Sequence, residues 1–255
     1  MLFLSLLSLF IVACSTTPKH KTIYAAHWQV RERLLQEKNA EAGYTINVHY
    51  PELISSPNRA AALPVNQAVQ ELIVKNMKAF KAKVPHDSSN LKDYPPEMRV
   101  NNLNITYSSQ LLKPKQEILL SLRFAITTIF SGNAIPTHYY SVLNYNLSQQ
   151  VPLSLEGLFK KNSDYLERIS HYCNKKLVEK LNLSMPWMPE NMEGTSANLE
   201  NFKIWNIEQK GLAITFRQYQ LEPYTSSAQT IVVPYSILSP VLDPASPLDA
   251  NIVER

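Results

Sequence analysis

Cys14 and Cys173 are the two cysteines of this 255-residue chain, and their settings give them different chemistry. Cys14 closes an apolar run, Leu2–Val12, with the small residue Ala13 just before it. A thiolate placed there can take a diacylglycerol once the chain is cut in front of it. Cys173 falls on the apolar stripe of an expected helix, where a thiol stays protonated and inert. With Cys14 acylated, no intramolecular disulfide can form, so the core carries stability unaided. Six histidines (His20, His27, His49, His86, His138 and His171) are scattered, and none stands at metal-ligand spacing from another His or Cys. There is no Gly-x-Ser-x-Gly elbow. With 5 glycines and no GxGxxG or Walker sequence, phosphate-cradling loops are missing too. No catalytic residue, metal or cofactor is therefore expected. Tyrosine is plentiful at 13. Tyr139, Tyr140, Tyr219, Tyr224 and Tyr235, with Glu222, are the candidate ligand contacts, because rings with polar tips suit sugar faces and protein hot spots. The same residues also suit a half-buried sheet face.

The run Leu2–Val12 is too short to cross a bilayer as a helix, which takes about 20 residues, and fits the apolar region of a secretory signal. Ile11-Val12-Ala13-Cys14 resembles the lipobox of bacterial lipoproteins, which puts the lipid on Cys14 and makes residues 1–13 a signal peptide. No Lys or Arg precedes the run, so the terminal amine supplies its positive charge. Ser15 stands where an aspartate often retains lipoproteins at the inner membrane, so the expected place in a diderm organism is the outer membrane, facing the periplasm. Several acyl chains on one cysteine, palmitate among them, make a stable anchor.

Hydrophobic content of 45% and charged content of 18% are those of a folded globular protein. The formal charge of +4 is spread along the chain without the basic stripe of a nucleic-acid binder. Residues 14–42 are polar, with a weak helical spacing at Val30, Leu34 and Leu35, and read as a tether with a short helix. Tyr44–Tyr50 alternates as a strand that Pro51 ends. Pro64 suits the first turn of a helix whose stripe is Val65, Ala68, Val69, Leu72, Ile73 and Phe80. Lys75, Lys78, Lys81 and Lys83 then suit its C-terminal dipole. Three strands follow, around 103–107, 117–130 and 138–147, and short connections suggest an antiparallel meander on a helix. Asn162 or Ser163 can cap a second helix with the stripe Leu166, Ile169, Cys173, Leu177 and Leu181. Residues 202–207 and 212–216 flank a hairpin signal at Gln209-Lys210-Gly211. Gln229–Val233 is a further strand, and a terminal helix should run from Pro234 to Leu242. The fold class is thus α+β, antiparallel sheet packed against a few helices.

Four stretches carry a family resemblance: Ser131–Pro136, Leu143–Phe159, Gly211–Tyr224 and Ile231–Ser236. In order and spacing they resemble the RsiV-like and PdaC-like extracytoplasmic domains, the lysozyme-sensing ectodomain of an anti-sigma factor and the module ahead of the catalytic domain of a peptidoglycan deacetylase. The similarity spans about residues 42–242. It implies two lobes, residues 43–149 and 150–243, followed by a flexible tail, 244–255. Two departures limit what carries over. The family's Gly-Gly-Ala-His turn is Gly132-Asn133-Ala134-Ile135 here, so no role of that histidine transfers, and Ser227 replaces a glycine after Pro223-Tyr224. Neither a sigma-binding part nor a deacetylase metal pattern is seen.

The resemblance implies a lipid-anchored, non-catalytic envelope protein that recognises peptidoglycan or a peptidoglycan-cleaving protein such as lysozyme. Two other readings stay open. One is a glycan-acting enzyme with an unrecognised carboxylate pair, the other a scaffold lipoprotein for envelope assembly. No nucleic-acid partner is expected.

Overall fold

The computed structural model of the chain describes residues 22–25, 27–85, 95, 99–133, 135–182, 193–221 and 225–248. The architecture is α+β. Strands β1 (Thr22–Ala25), β2 (Trp28–Asn39), β3 (Tyr44–Ser55), β4 (Asn101–Leu112), β5 (Leu119–Ile129), β6 (Thr137–Asn146) and β7 (Val151–Pro152) form one sheet in chain order. Strands β8 (Trp205–Glu208), β9 (Gly211–Phe216) and β10 (Gln229–Pro234) form a second, ordered β10-β9-β8. Helix α1 (Leu63–Lys81) covers the first sheet. Helices α2 (Tyr165–Lys180) and α3 (Tyr235–Leu238) belong with the second. Two buried clusters follow this division. One gathers Trp28, Ile46, Leu103, Phe124 and α1, and the other Cys173, Phe202, Trp205, Phe216 and Tyr235.

Several expectations hold because their periodicity is simple. Helix α1 opens on Leu63-Pro64 and buries Val65, Val69, Ile73 and Phe80. Strands β4, β5 and β6 form the antiparallel meander, turning at Gly132, whose φ of +84° suits a residue without Cβ. Helix α2 buries Ile169, Cys173 and Leu177, but its N-cap is Asp164 rather than Asn162 or Ser163.

Residues 22–39 are a correction. No helix or loose tether is present there; β1 pairs with β2, and β2 pairs with β3 along its whole length. The first lobe therefore starts at Thr22, not at residue 43, and runs through β7 at Val151–Pro152 rather than ending at 149. The reason is a change of face. Val30 pairs with Leu53 and Leu35 with Val48, and all four pack into the same cluster. Val30 and Leu35 are an odd number of residues apart, so on a flat strand they would point to opposite faces. The long hairpin twists until its inner face changes over midway, and the spacing left in the sequence imitates a helix.

Pro51 does not end β3, which continues to Ser55. The parallel pairing of β3 with β4 stops at Val48–Ile105, so Pro51 lies where one side of the strand has no ladder to lose. That parallel pair, joined through α1, departs from the all-antiparallel expectation. Helix α3 ends at Leu238, short of Leu242. The expected flexible tail folds back in its first part: Leu248 is buried, and the Lys115 ammonium donates to the Ser246 carbonyl at 3.1 Å. Cys14 and residues 249–255 lie outside the described residues.

Candidate functional site

The lobes meet on a buried polar hub. Ser121 on β5 faces Asn144 on β6. The Ser121 hydroxyl donates to Asn144 Oδ1 at 2.6 Å and accepts from Asn206 Nδ2 and the Ile207 amide, each at 2.9 Å. Asn206 Nδ2 also donates to the Leu122 carbonyl, and Asn144 Nδ2 to the Trp205 carbonyl. The hub ties β8 to β5 and β6, and Ile204, just before β8, lines a groove.

That groove, about 690 Å³, lies between α1, the outer edge of β6 and the segments flanking the second sheet. Tyr139 and Tyr140 stand on opposite sides of the strand. The Tyr139 hydroxyl donates to Asn76 Oδ1 at 3.1 Å, and burial raises its pKa above the ordinary tyrosine value. The Tyr140 ring lies under the Arg123 guanidinium, 4.4 Å from its centroid, a cation–π contact that holds the ring in place. Lys75, Lys203 and Arg217 bring three cations to the walls, and Glu71 one carboxylate. Lys203 pairs with Glu200 at 2.9 Å. Its hydrogen bond and charge hold that carboxyl below the usual range, with Arg217 adding at longer range. Lys75 and Arg217 make no ion pair among the described residues.

Beta pairing makes the groove floor chemically active. In an antiparallel pair, alternate residues turn both main-chain groups toward the neighbour or away from it. On β6 the Leu147 amide bonds inward to Ile118 of the β5 side. The Asn144 carbonyl accepts outward from Leu153, and the His138 amide donates outward to Gln218 Oε1. The even-numbered residues thus face away from β5. Between those two capped positions, Tyr140 and Val142 turn their N–H and C=O groups into the groove, without a partner among the described residues.

The candidate residues are therefore divided. Tyr139 and Tyr140 converge on one groove. Tyr219 is half exposed in a left-handed turn (φ +66°) and does not line it. Tyr235 is corrected to a core residue: fully buried, it donates to the Glu208 carbonyl at 2.8 Å, and burial raises its pKa strongly. Glu222 and Tyr224 lie outside the described residues. Sequence reasoning missed Lys75, Asn76, Lys203 and Arg217. The signal for Lys75 was absorbed by the helix dipole, and the others gave none, because they meet only in the fold. Among the described residues no three His, Cys, Asp or Glu side chains gather as a metal set. Burial lifts the Cys173 thiol far above its ordinary pKa, which keeps it protonated.

Comparison with known proteins finds a domain match and structures of similar fold. Residues 156–236 match the family described as "Protein of unknown function (DUF3298)". The peptidoglycan-N-acetylmuramic acid deacetylase PdaC of Bacillus subtilis is 23% identical over 182 residues, covering 69% of this chain but 39% of that enzyme. The chain thus spans well under half the length of this relative. A DUF3298 family member from Bacteroides fragilis has a TM-score of 0.56 at 16% identity, covering 88% of this chain and 96% of its own. A DUF3298 family protein from Pseudomonas aeruginosa PAO1 gives 0.52 at 12% identity, covering 85% and 94%. Both share the fold. The segment at residues 156–236 thus matches the DUF3298 family, and the fold over both lobes is shared with two solved members of it.

Proposed function

We propose that the protein is a non-catalytic binding module of the cell envelope, held to a membrane by lipid on Cys14, that recognises peptidoglycan or a peptidoglycan-cleaving protein. One observation carries the reading: two tyrosines held by their neighbours, Tyr139 by Asn76 and Tyr140 by Arg123, line a groove with cationic walls. Such rings bind with little loss of rotamer freedom, and the cations favour an anionic wall polymer. The relation to a peptidoglycan deacetylase supports a place at the wall. The apolar run before Cys14 supports export, and no described helix is long and apolar enough to cross a membrane.

The test is retention of the purified protein on isolated sacculi and on immobilised lysozyme at micromolar concentration. Binding to one of them is expected, and binding to neither would sink the reading. Muropeptides incubated with the protein from mildly acid to mildly alkaline pH should keep their masses. A mass change would make it an enzyme.

A further inference from the structure

The outer edge of β6 is closed at both ends and open in the middle. Gln218 caps the His138 amide at one end, and Leu153 caps the Asn144 carbonyl at the other. From residue 138 to residue 144 a strand runs about 20 Å at about 3.3 Å per residue. Within that length two residues, Tyr140 and Val142, offer their main-chain donors and acceptors to the groove. An unpaired strand edge is a template for a further strand. This one accepts only a short strand, because the Gln218 turn and β7 stand where a longer one would continue. Lys75 and Arg217, without ion-pair partners among the described residues, reach the same groove from α1 and from the end of β9. Tyr139 and Tyr140 flank the strand on its two sides.

We propose that this edge takes a short, extended, carboxylate-bearing peptide by main-chain pairing, and that its natural occupant is the peptide stem of the cell-wall polymer. The assignment rests on the cell-wall reading above and names what that site holds. At about 3.3 Å per residue, with roughly 2.5 Å more for the two extra backbone carbons of its γ-linked glutamate, a stem of four or five residues spans about 16–19 Å and fits between the two caps. Its carboxylates meet Lys75 and Arg217, and its amides pair with Tyr140 and Val142. The tyrosine rings are left to cover its methyl groups or the sugar from which it hangs. A long strand of a folded protein partner would collide with both caps.

The experiment titrates the full chain with three soluble probes: a synthetic stem tetrapeptide (Ala–γ-D-Glu–diaminopimelate–D-Ala), glycan chains stripped of peptide, and an all-L acidic tetrapeptide. Amide hydrogen exchange is read at Tyr140 and Val142. The stem peptide should bind, slow exchange at both amides, and outcompete the other two. Val142→Pro removes an outward N–H and leaves the β5 ladder intact, so it should keep the fold and weaken binding about tenfold or more. The double variant Lys75→Glu/Arg217→Glu changes exposed side chains and should weaken binding as much. A stem peptide methylated on alternate amides tests the pairing on the unmodified protein, and should lose affinity likewise. Equal binding of the all-L peptide would make the groove a site for an acidic protein segment and overturn the assignment, as would binding unaffected by methylation. Retention on sacculi without binding of the tetrapeptide would overturn this proposal alone. Retention on neither sacculi nor lysozyme would remove the function on which it rests.

Discussion

Ser121 does more at the lobe contact than its size suggests. Its one oxygen serves Asn144, Asn206 and the Ile207 amide, and all three partners are buried. A buried donor that loses its acceptor costs about 1–3 kcal/mol. Ser121→Ala strands the Ile207 amide and one Asn206 hydrogen, while the cavity left by one oxygen is too small for a compensating water. We expect about 2–3 kcal/mol of lost stability, read as a lower urea midpoint. A change below about half a kcal/mol would mean that the neighbours re-pair. Tyr235 offers a contrast at the same scale. Its single hydroxyl-to-carbonyl bond is separable from its ring, so Tyr235→Phe should cost only about 1 kcal/mol.

Among the elements, the β2–β3 hairpin is tied to the end of α1 by one ion pair. The Lys81 ammonium lies 2.6 and 2.8 Å from the two oxygens of Glu37, and the Tyr44 hydroxyl donates to the same carboxylate. The bond from Lys81 is the main cause that lowers the Glu37 pKa, and the same bond raises that of Lys81. A lowered carboxyl pKa contributes stability above the ordinary glutamate value, about 4.3, and loses it as the pH falls through the folded value. The raised lysine value contributes below the ordinary lysine pKa and is lost as the pH rises through the folded one. Both side chains are about one-third exposed, so screening keeps the pair below about 1 kcal/mol. Glu37→Gln should therefore be slightly less stable at neutral pH, with the gap narrowing as the pH falls below the ordinary glutamate value, and thermal melts across that range are the check. At the start of β9, Gly211 abuts the Val233 carbonyl of β10, and an added Cβ would run into that backbone. Gly211→Ala should cost about 1–3 kcal/mol, measured by the same urea titration. The elements also divide by how they can be read in the sequence. Helix α1 and strands β4 to β6 were legible because each buries one constant face. Strand β2 was not, because Val30 and Leu35 reach one core from opposite sides of a twisted ribbon. The parallel pairing of β3 with β4 joins residues more than fifty positions apart, such as Val48 and Ile105, and no local signal encodes it. Tyr139 and Tyr140 could be picked from a tyrosine-rich strand, but the groove needs Lys75, Asn76 and Arg217 beside them, and no spacing joins those positions.

At the scale of the molecule, two buried clusters would ordinarily allow two unfolding events. Three features join them here. Leu119 belongs to β5 of the large sheet, yet it is buried in the cluster of the second lobe. The Ser121 hub crosses between the lobes, and residues 243–248 return across the boundary to place Ser246 against Lys115. If each link is worth a kcal/mol or two, their sum of about 3–6 kcal/mol reaches the lower end of the 5–15 kcal/mol that holds a typical domain, enough to make the lobes unfold together. Two tryptophans report the lobes separately: Trp28 is buried in the first cluster and Trp205 in the second. In a Trp187→Phe background, which removes the third tryptophan of the chain, fluorescence of a Trp28→Phe variant, in which Trp205 carries the signal, should trace the same urea transition as that of a Trp205→Phe variant, once the curves are corrected for each substitution's own cost. In the Ser121→Ala background the hub is cut, and the two curves should separate, with the second lobe melting first. That lobe loses the Ile207 amide's partner, whereas β5 and β6 remain paired along ten residues. Separated curves in the parent protein would show that the lobes are independent and that the groove between them is not held rigid.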